Sequence, residues 1–369
     1  MRRALPFALL LLATPTLAQE MVSTQAGPVK VETITRDLKR PWALDFLPDG
    51  HMLVSERDGY LRIVGKDGKV SAALTGTPEV FAQGQGGMLD VGVAPDFASS
   101  RLIYFTFSEK DDQGLAGTTL ARGKLSADST ALEDLKIVFR QSPKVDDSKH
   151  FGSRILFARD GTILVTLADR FQFDPAQDLT GHLGKIVRVN PDGTAPKDNP
   201  LLGQSNAKPE IWSYGHRNIQ SAALDKDGAL WIAEMGPLGG DELTRVEAGK
   251  NYGWPLVSYG RHYNGRDIPN PKTRPEFQES TYQWTPVIAP SGMAIYSGSL
   301  FPSWQGSLLI GGLRAQAIVR VTVKNGAYDS EERIKLGARI RDVVQGPDGA
   351  VYALTDESSG RLLRLSPAS

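Results

Sequence analysis

A chain of 369 residues with 42 basic and 42 acidic side chains, five histidines and no cysteine excludes several functions at once. Without cysteine there is no disulfide, thiolate metal site, thioether-linked haem or thiol nucleophile. A balanced charge gives neither nucleic acid nor an anionic membrane a matching surface.

The first predicted element is a leader. MRRALPFALLLLATPTLAQE places Arg2 and Arg3 before the apolar run Ala4–Ala13, and small residues end it at Thr16-Leu17-Ala18. This reads as a secretory signal peptide over 1–18, with a mature chain of 19–369 and export to the periplasm. Removing Arg2 and Arg3 from the 42 basic residues leaves 40 against 42 acidic, a net of −2. No later stretch is apolar and long enough for a transmembrane helix. An exported chain without disulfides must be held by burial of a large core.

The mature chain repeats one pattern. After an early strand at 29–38, LDFLPDGHMLVSE (44–56) alternates apolar and other residues on both sides of a Pro-Asp-Gly turn, which predicts a β-hairpin. AQGQGGMLD follows, with Gln85 among Gly84, Gly86 and Gly87; the glycines suit either close backbone approach to a planar or charged group or a flexible turn. A second hairpin covers 91–108. His150 then opens a third, ILFARDGTILVTLA (155–168), either as a loop bystander or as a base suited to neutral pH. A Gly- and Pro-containing loop is expected over 171–210. SYGHRNIQ sets Arg217 and Asn218 directly before the fourth hairpin, AALDKDGALWIAE (222–234).

EMGPLGGDELTRVEAGKNYGWP (234–255) is dense in oxygen donors. The Gly236-Pro237 bend can turn carbonyls to one side, Asp241 and Glu242 add carboxylates, and the turn at Tyr252 adds a carbonyl. Hard donors without thiol or imidazole suit calcium, though the spacing is not an EF-hand and an acidic solvated loop reads as well. A second long loop is expected over 258–290. A weaker fifth hairpin, 293–312, precedes Arg314. Arg339 and Arg341, two apart on an extended segment and so directed alike, precede the sixth hairpin, VVQGPDGAVYALTDE (343–357).

The turn aspartates Asp49, Asp96, Asp160 and Asp227 are 47, 64 and 67 residues apart, and Asp348 lies 121 further on, about two periods. Each unit is too small to bury both faces of its sheet, a problem that radial packing of four-stranded blades solves. The predicted fold is all-β, a six-bladed β-propeller of four-stranded antiparallel blades in one domain. The strand at 29–38 is expected to pair with RLLRLS (361–366) and close the ring. Arginines at equivalent blade positions converge on one end of the channel and suit a polyanionic or carbonyl-rich ligand.

Taken in order, PWALDFLPDG, GQGGMLDVGVAPDF, HFGSRI, IWSYGHRN, GPLGGDE, KNYGWP, SGMAIY and RIRDVVQGPDG resemble the soluble pyrroloquinoline quinone (PQQ)-dependent glucose/sorbosone dehydrogenases, the bacterial periplasmic aldose sugar dehydrogenases above all, over nearly the whole mature chain. That resemblance implies a six-bladed propeller that oxidises aldoses at C1 to aldonolactones by hydride transfer to the quinone. It implies that Gln85, Arg217, Asn218, Tyr263, Leu313, Arg314, Arg339 and Arg341 hold PQQ, whose three carboxylates account for the arginines. It implies calcium at Gly236, Pro237, Glu242 and Tyr252, His150 as general base, Arg217 as stabiliser of developing charge, and an external electron acceptor. The chain departs from the family pattern at Lys149, Ile219 and Arg314, where relatives carry aspartate, proline and lysine. Two other readings stay open from the repeats alone: a calcium-dependent lactonase, which has no need of the arginines, and a non-catalytic sugar-binding propeller.

Overall fold

The computed structural model describes residues 19–368, so the expected leader lies outside the described residues. Six antiparallel sheets are arranged as the blades of a propeller, and helix is confined to Phe97–Ser100 and three short 3₁₀ turns. All six predicted hairpins form the two innermost strands of a blade. In blade three, Ile155–Phe157 and Ile163–Thr166 pair about the Asp160-Gly161 turn. In blade six, Ile340–Gln345 pairs with Val351–Thr355.

The long loops are interrupted by strands. Lys185–Val189 supplies the third strand of blade three from within 171–210, and Tyr282–Trp284 the fourth of blade four from within 258–290. Both escape a pattern search for a physical reason: one carries Lys185 and Arg188 at buried positions, the other is three residues long. Blade one has three regular strands. Ser71 and Leu74 donate to the Ile63 and Leu61 carbonyls at 2.9 Å, giving it an irregular fourth edge.

Ring closure follows the expected pairing. Gly27–Leu38 lies against Gly360–Pro367, with Val31 opposite Leu365 and Thr33 opposite Leu363. The first and last of the described residues thus share one sheet, and their apolar faces meet in one cluster that includes Val29, Val31, Leu363 and Leu365.

Blades are also stapled near the channel. Asp342, Asp45 and Asp90 each accept the amide of the next blade's first strand, at Leu44, Val93 and Ile155, with distances of 3.0, 2.7 and 2.7 Å. Arg154 Nη1 bridges Asp90 and Asp342 at 3.0 and 2.9 Å. Burial pushes Asp90 up to about 7 against the pull of Arg154, and Asp45 up to about 6. Losing one partner of such a buried set leaves an uncompensated charge, which typically costs about 3–5 kcal/mol. The staples fix the angle between blades, and with it the positions of residues just outside the strand ends.

Candidate functional site

The site lies where the first strand of each blade begins and the second ends. His150 stands ahead of the first strand of blade three and is buried, at 5% exposure. Its amide donates to Gln85 Oε1 at 2.8 Å, and its Nδ1 donates to Asp169 Oδ1 at 2.7 Å. Trp254 Nε1 donates to the other oxygen of Asp169 at 2.8 Å. A carboxylate held from behind in this way fixes the ring's tautomer and leaves Nε2 as the nitrogen available to a reactant. Burial lowers the His150 pKa, the Asp169 hydrogen bond and charge oppose that, and Arg217 lowers it further. The imidazole is therefore neutral at neutral pH. Lys149 does not add to this effect: its ammonium lies 4.5 Å over the Phe171 ring, with Asp147 3.8 Å away.

Around His150 the backbone is unusual. His150, Ser153, Arg170, Phe171 and Phe173 all have φ between 50° and 100°. Non-glycine residues in that region cost on the order of 1–3 kcal/mol each and persist only where the surroundings dictate them. Asp169 supplies part of that restraint, since its Oδ1 also accepts the Phe171 amide at 2.8 Å. The resulting turn lays Phe171 edge-on to His150 at 5.1 Å, with Tyr263 6.1 Å beyond.

Next to His150 opens a cavity of about 260 Å³ lined by Trp42, Arg57, Gln85, Gln220, Leu313, Arg339 and Arg341, among others. Arg339 and Arg341 do point alike: both reach the Asp356 carboxylate, at 2.8 Å each. Arg341 also donates to Gln220 Oε1 at 2.9 Å. Three guanidinium groups against one carboxylate leave the cavity positively charged. Gln85 is exposed and lines this cavity while holding His150, so the two share one end of the channel. The glycines beside it serve the chain's own packing, since a Cβ on Gly84 would overlap Ser148 and one on Gly87 the Arg57 carbonyl. Leu313 lines the cavity; its neighbour Arg314 is exposed and only its amide is fixed, to Ile288 O at 3.0 Å.

Arg217 lines a narrower crevice beside this cavity, and Asn218 follows it in the chain. Arg217 donates through Nη1 to the Met235 and Gly236 carbonyls at 2.9 Å and through Nη2 to Tyr263 Oη at 3.1 Å. Its Nε is buried without a hydrogen-bond partner. Asn218 accepts the Gly152 amide at 3.3 Å. Met235 borders both spaces. The crevice is lined by Glu234, Gly236, Glu242, Tyr252 and Trp254, among others. Glu234 and Glu242 are register partners on adjacent strands, and like charges placed opposite are destabilising. Glu234 is hydrogen-bonded to His216 Nδ1 at 3.1 Å and accepts the Arg217 amide at 2.7 Å. Burial, then Glu234 and Asp241, push Glu242 up to about 8, the mark of a carboxylate short of positive charge. Pro237 is buried in the same bend. Asp241 takes another role from that expected of it: its carboxylate accepts the amides of Gly236, Ile288 and Ala289 at 2.7–2.9 Å and braces the bend.

Asp169, Arg57, Trp42 and Trp254 were not singled out by the sequence. The repeat held a signal for the first two. Arg57 and Asp356 stand eight residues past the turn aspartates Asp49 and Asp348, and Asp169 nine past Asp160, so aligning the hairpins brings a charged side chain to the same end of blades one, three and six.

A family model described as Glucose / Sorbosone dehydrogenase matches residues 38–364. The Escherichia coli (strain K12) protein named aldose sugar dehydrogenase YliI is 45% identical over 345 residues, which are 92% of this chain and 93% of that one. The crystal structure of the E. coli soluble aldose sugar dehydrogenase in its apo form superposes with a TM-score of 0.88 at 44% identity, covering 92% of this chain and all (100%) of that one. The PQQ-bound aldose sugar dehydrogenase of Streptomyces coelicolor superposes with a TM-score of 0.77 at 26% identity, covering 96% and 99%.

Proposed function

The chain belongs to the glucose/sorbosone dehydrogenase family and is a quinone-dependent sugar oxidoreductase; from that premise we propose that it oxidises aldoses at C1 to aldonolactones, with His150 as the base, PQQ in the arginine-lined cavity and calcium in the adjoining crevice. The observation that carries this is the placement of His150, braced by Asp169 and Gln85, at the edge of a positively charged cavity. The cavity fits a tricarboxylate, for it offers Arg57, Arg339 and Arg341, and Arg217 of the adjoining crevice keeps a buried Nε with no protein partner. The crevice fits calcium through oxygen donors alone, with Glu242, Tyr252 and the Gly236 bend, and a cation there offsets the Glu234–Glu242 repulsion. The Gly236 carbonyl keeps a second lone pair free beside its bond from Arg217.

Bound there, the quinone supplies a hydride acceptor for the C1 hydrogen. His150 Nε2 takes the proton of the anomeric hydroxyl, and Asp169 stabilises the imidazolium that forms. Phe171 and Tyr263 give the sugar ring an apolar wall and keep water from the base. Arg217 and Asn218 sit where negative charge develops, an arrangement that contributes more than any other single factor in many enzymes. The test is reconstitution with PQQ and calcium, followed by glucose and a dye acceptor. Dye reduction supports the reading; lactone hydrolysis without dye reduction replaces it with a hydrolase. Residues 1–18 we read as a leader removed on export to the periplasm, so the exported protein should begin at Gln19; an intact Met1 in that fraction rejects this.

A further inference from the structure

Two buried cations bracket the segment that carries the aromatic wall. Arg170 donates to the backbone carbonyls of Ala116, Asp147 and Lys149, and its guanidinium lies 3.7 Å over the Phe151 ring. Lys185 is completely buried, and its ammonium donates to three backbone carbonyls: Leu183 at 2.7 Å and Pro175 and Ala176 at 2.9 Å. Those three bonds use every donor that an ammonium has. Burial drives Lys185 down to about 7, with Asp178 opposing.

The cost of burying a cation is high unless it is met by fixed acceptors, and here two of the three acceptors belong to one turn. Pro175 and Ala176 form the 3₁₀ turn Asp174–Ala176, which Phe173 enters at φ 62° and ψ −87°. Phe171 and Phe173 pack 5.1 Å apart, and Phe173 continues to Trp254 at 5.7 Å and His262 at 6.4 Å. Backbone in so sparsely populated a region needs an outside restraint. Lys185 provides one, from the first residue of a core strand of blade three.

We propose that Lys185 is a positioning residue for the sugar site: its ammonium clamps the 173–176 turn to the blade and so sets Phe173 against Phe171, which lies beside His150, where the two rings receive the C–H face of a pyranose. This rests on the reading of that face as the sugar site. The test is Lys185→Met, which keeps the length and removes the donors. Amide exchange in quinone-free protein should quicken at least tenfold over 171–177 and stay unchanged in the other blades. In reconstituted enzyme the KM for glucose should rise at least fivefold, with kcat within threefold and PQQ affinity within twofold. Exchange and KM both within twofold of wild type overturn the proposal. So does a rise in KM accompanied by comparable losses of kcat and PQQ affinity, which marks a general loss of structure. Phe173→Ala should reproduce the KM defect, and the double variant should be no worse than the worse single; additive defects overturn the shared route. If Lys185→Met does not fold, an unchanged KM in Phe173→Ala rejects the proposal by itself. Wild-type protein that fails to oxidise glucose with PQQ refutes the functional reading, while the exchange measurement still decides the clamp.

Discussion

His150 works only through its neighbours, and each can be tested alone. His150→Ala should leave the fold and PQQ affinity intact and lower kcat by about 10²–10⁴, the usual contribution of a general base; turnover within threefold of wild type makes His150 a bystander. Because burial lowers its pKa, the neutral base survives to more acidic pH than an ordinary histidine allows. The acid limb of kcat/KM should therefore have its midpoint below the usual 6.5. Asp169→Asn removes the charge and hydrogen bond that hold that pKa up, so the midpoint should move further down while kcat falls at least a hundredfold. A midpoint moving upward contradicts the assigned pair. His150, Arg217, Arg339 and Arg341 were legible because each breaks a hairpin pattern. Asp169 and Arg57 were not, because each lies just past the second strand of its blade, and only a comparison of the repeats exposes them. Trp254 was hidden for another reason: its indole N–H reaches Asp169 across 85 residues of sequence.

At the level of elements, the hairpins were readable because alternation and Asp-Gly turns are local. Outer strands such as Tyr282–Trp284 and the irregular edge of blade one are set by neighbours already in place, so their own sequences say little. The closing strand is the exception, since its alternation at 29–38 was visible and a ring needs a partner for its last blade. That closure holds apolar surface from both ends of the chain. Leu363→Ala, at 2% exposure opposite Thr33, should cost about 2–5 kcal/mol in a urea melt. A loss under 1 kcal/mol would show that the pairing contributes little to the fold.

For the whole molecule, six blades bring residues from Gln85 to Arg341 to one end of a single channel. The charges gathered there suit the proposed ligands: guanidinium groups beside one cavity, and two facing carboxylates in the next. Chelation should abolish activity and calcium should restore it, while magnesium, with its smaller and stricter coordination shell, should restore less. Full activity in a strong chelator removes calcium from the account. The sequence offered the arginines and the oxygen donors; that Met235 borders both of their spaces is a property of the folded ring. The most direct measurement is an anaerobic titration of PQQ into calcium-loaded protein, followed by glucose. The account requires one equivalent bound, and loss of the oxidised quinone's absorbance when the sugar is added. Absence of binding, or a bound quinone that no aldose reduces, contradicts it.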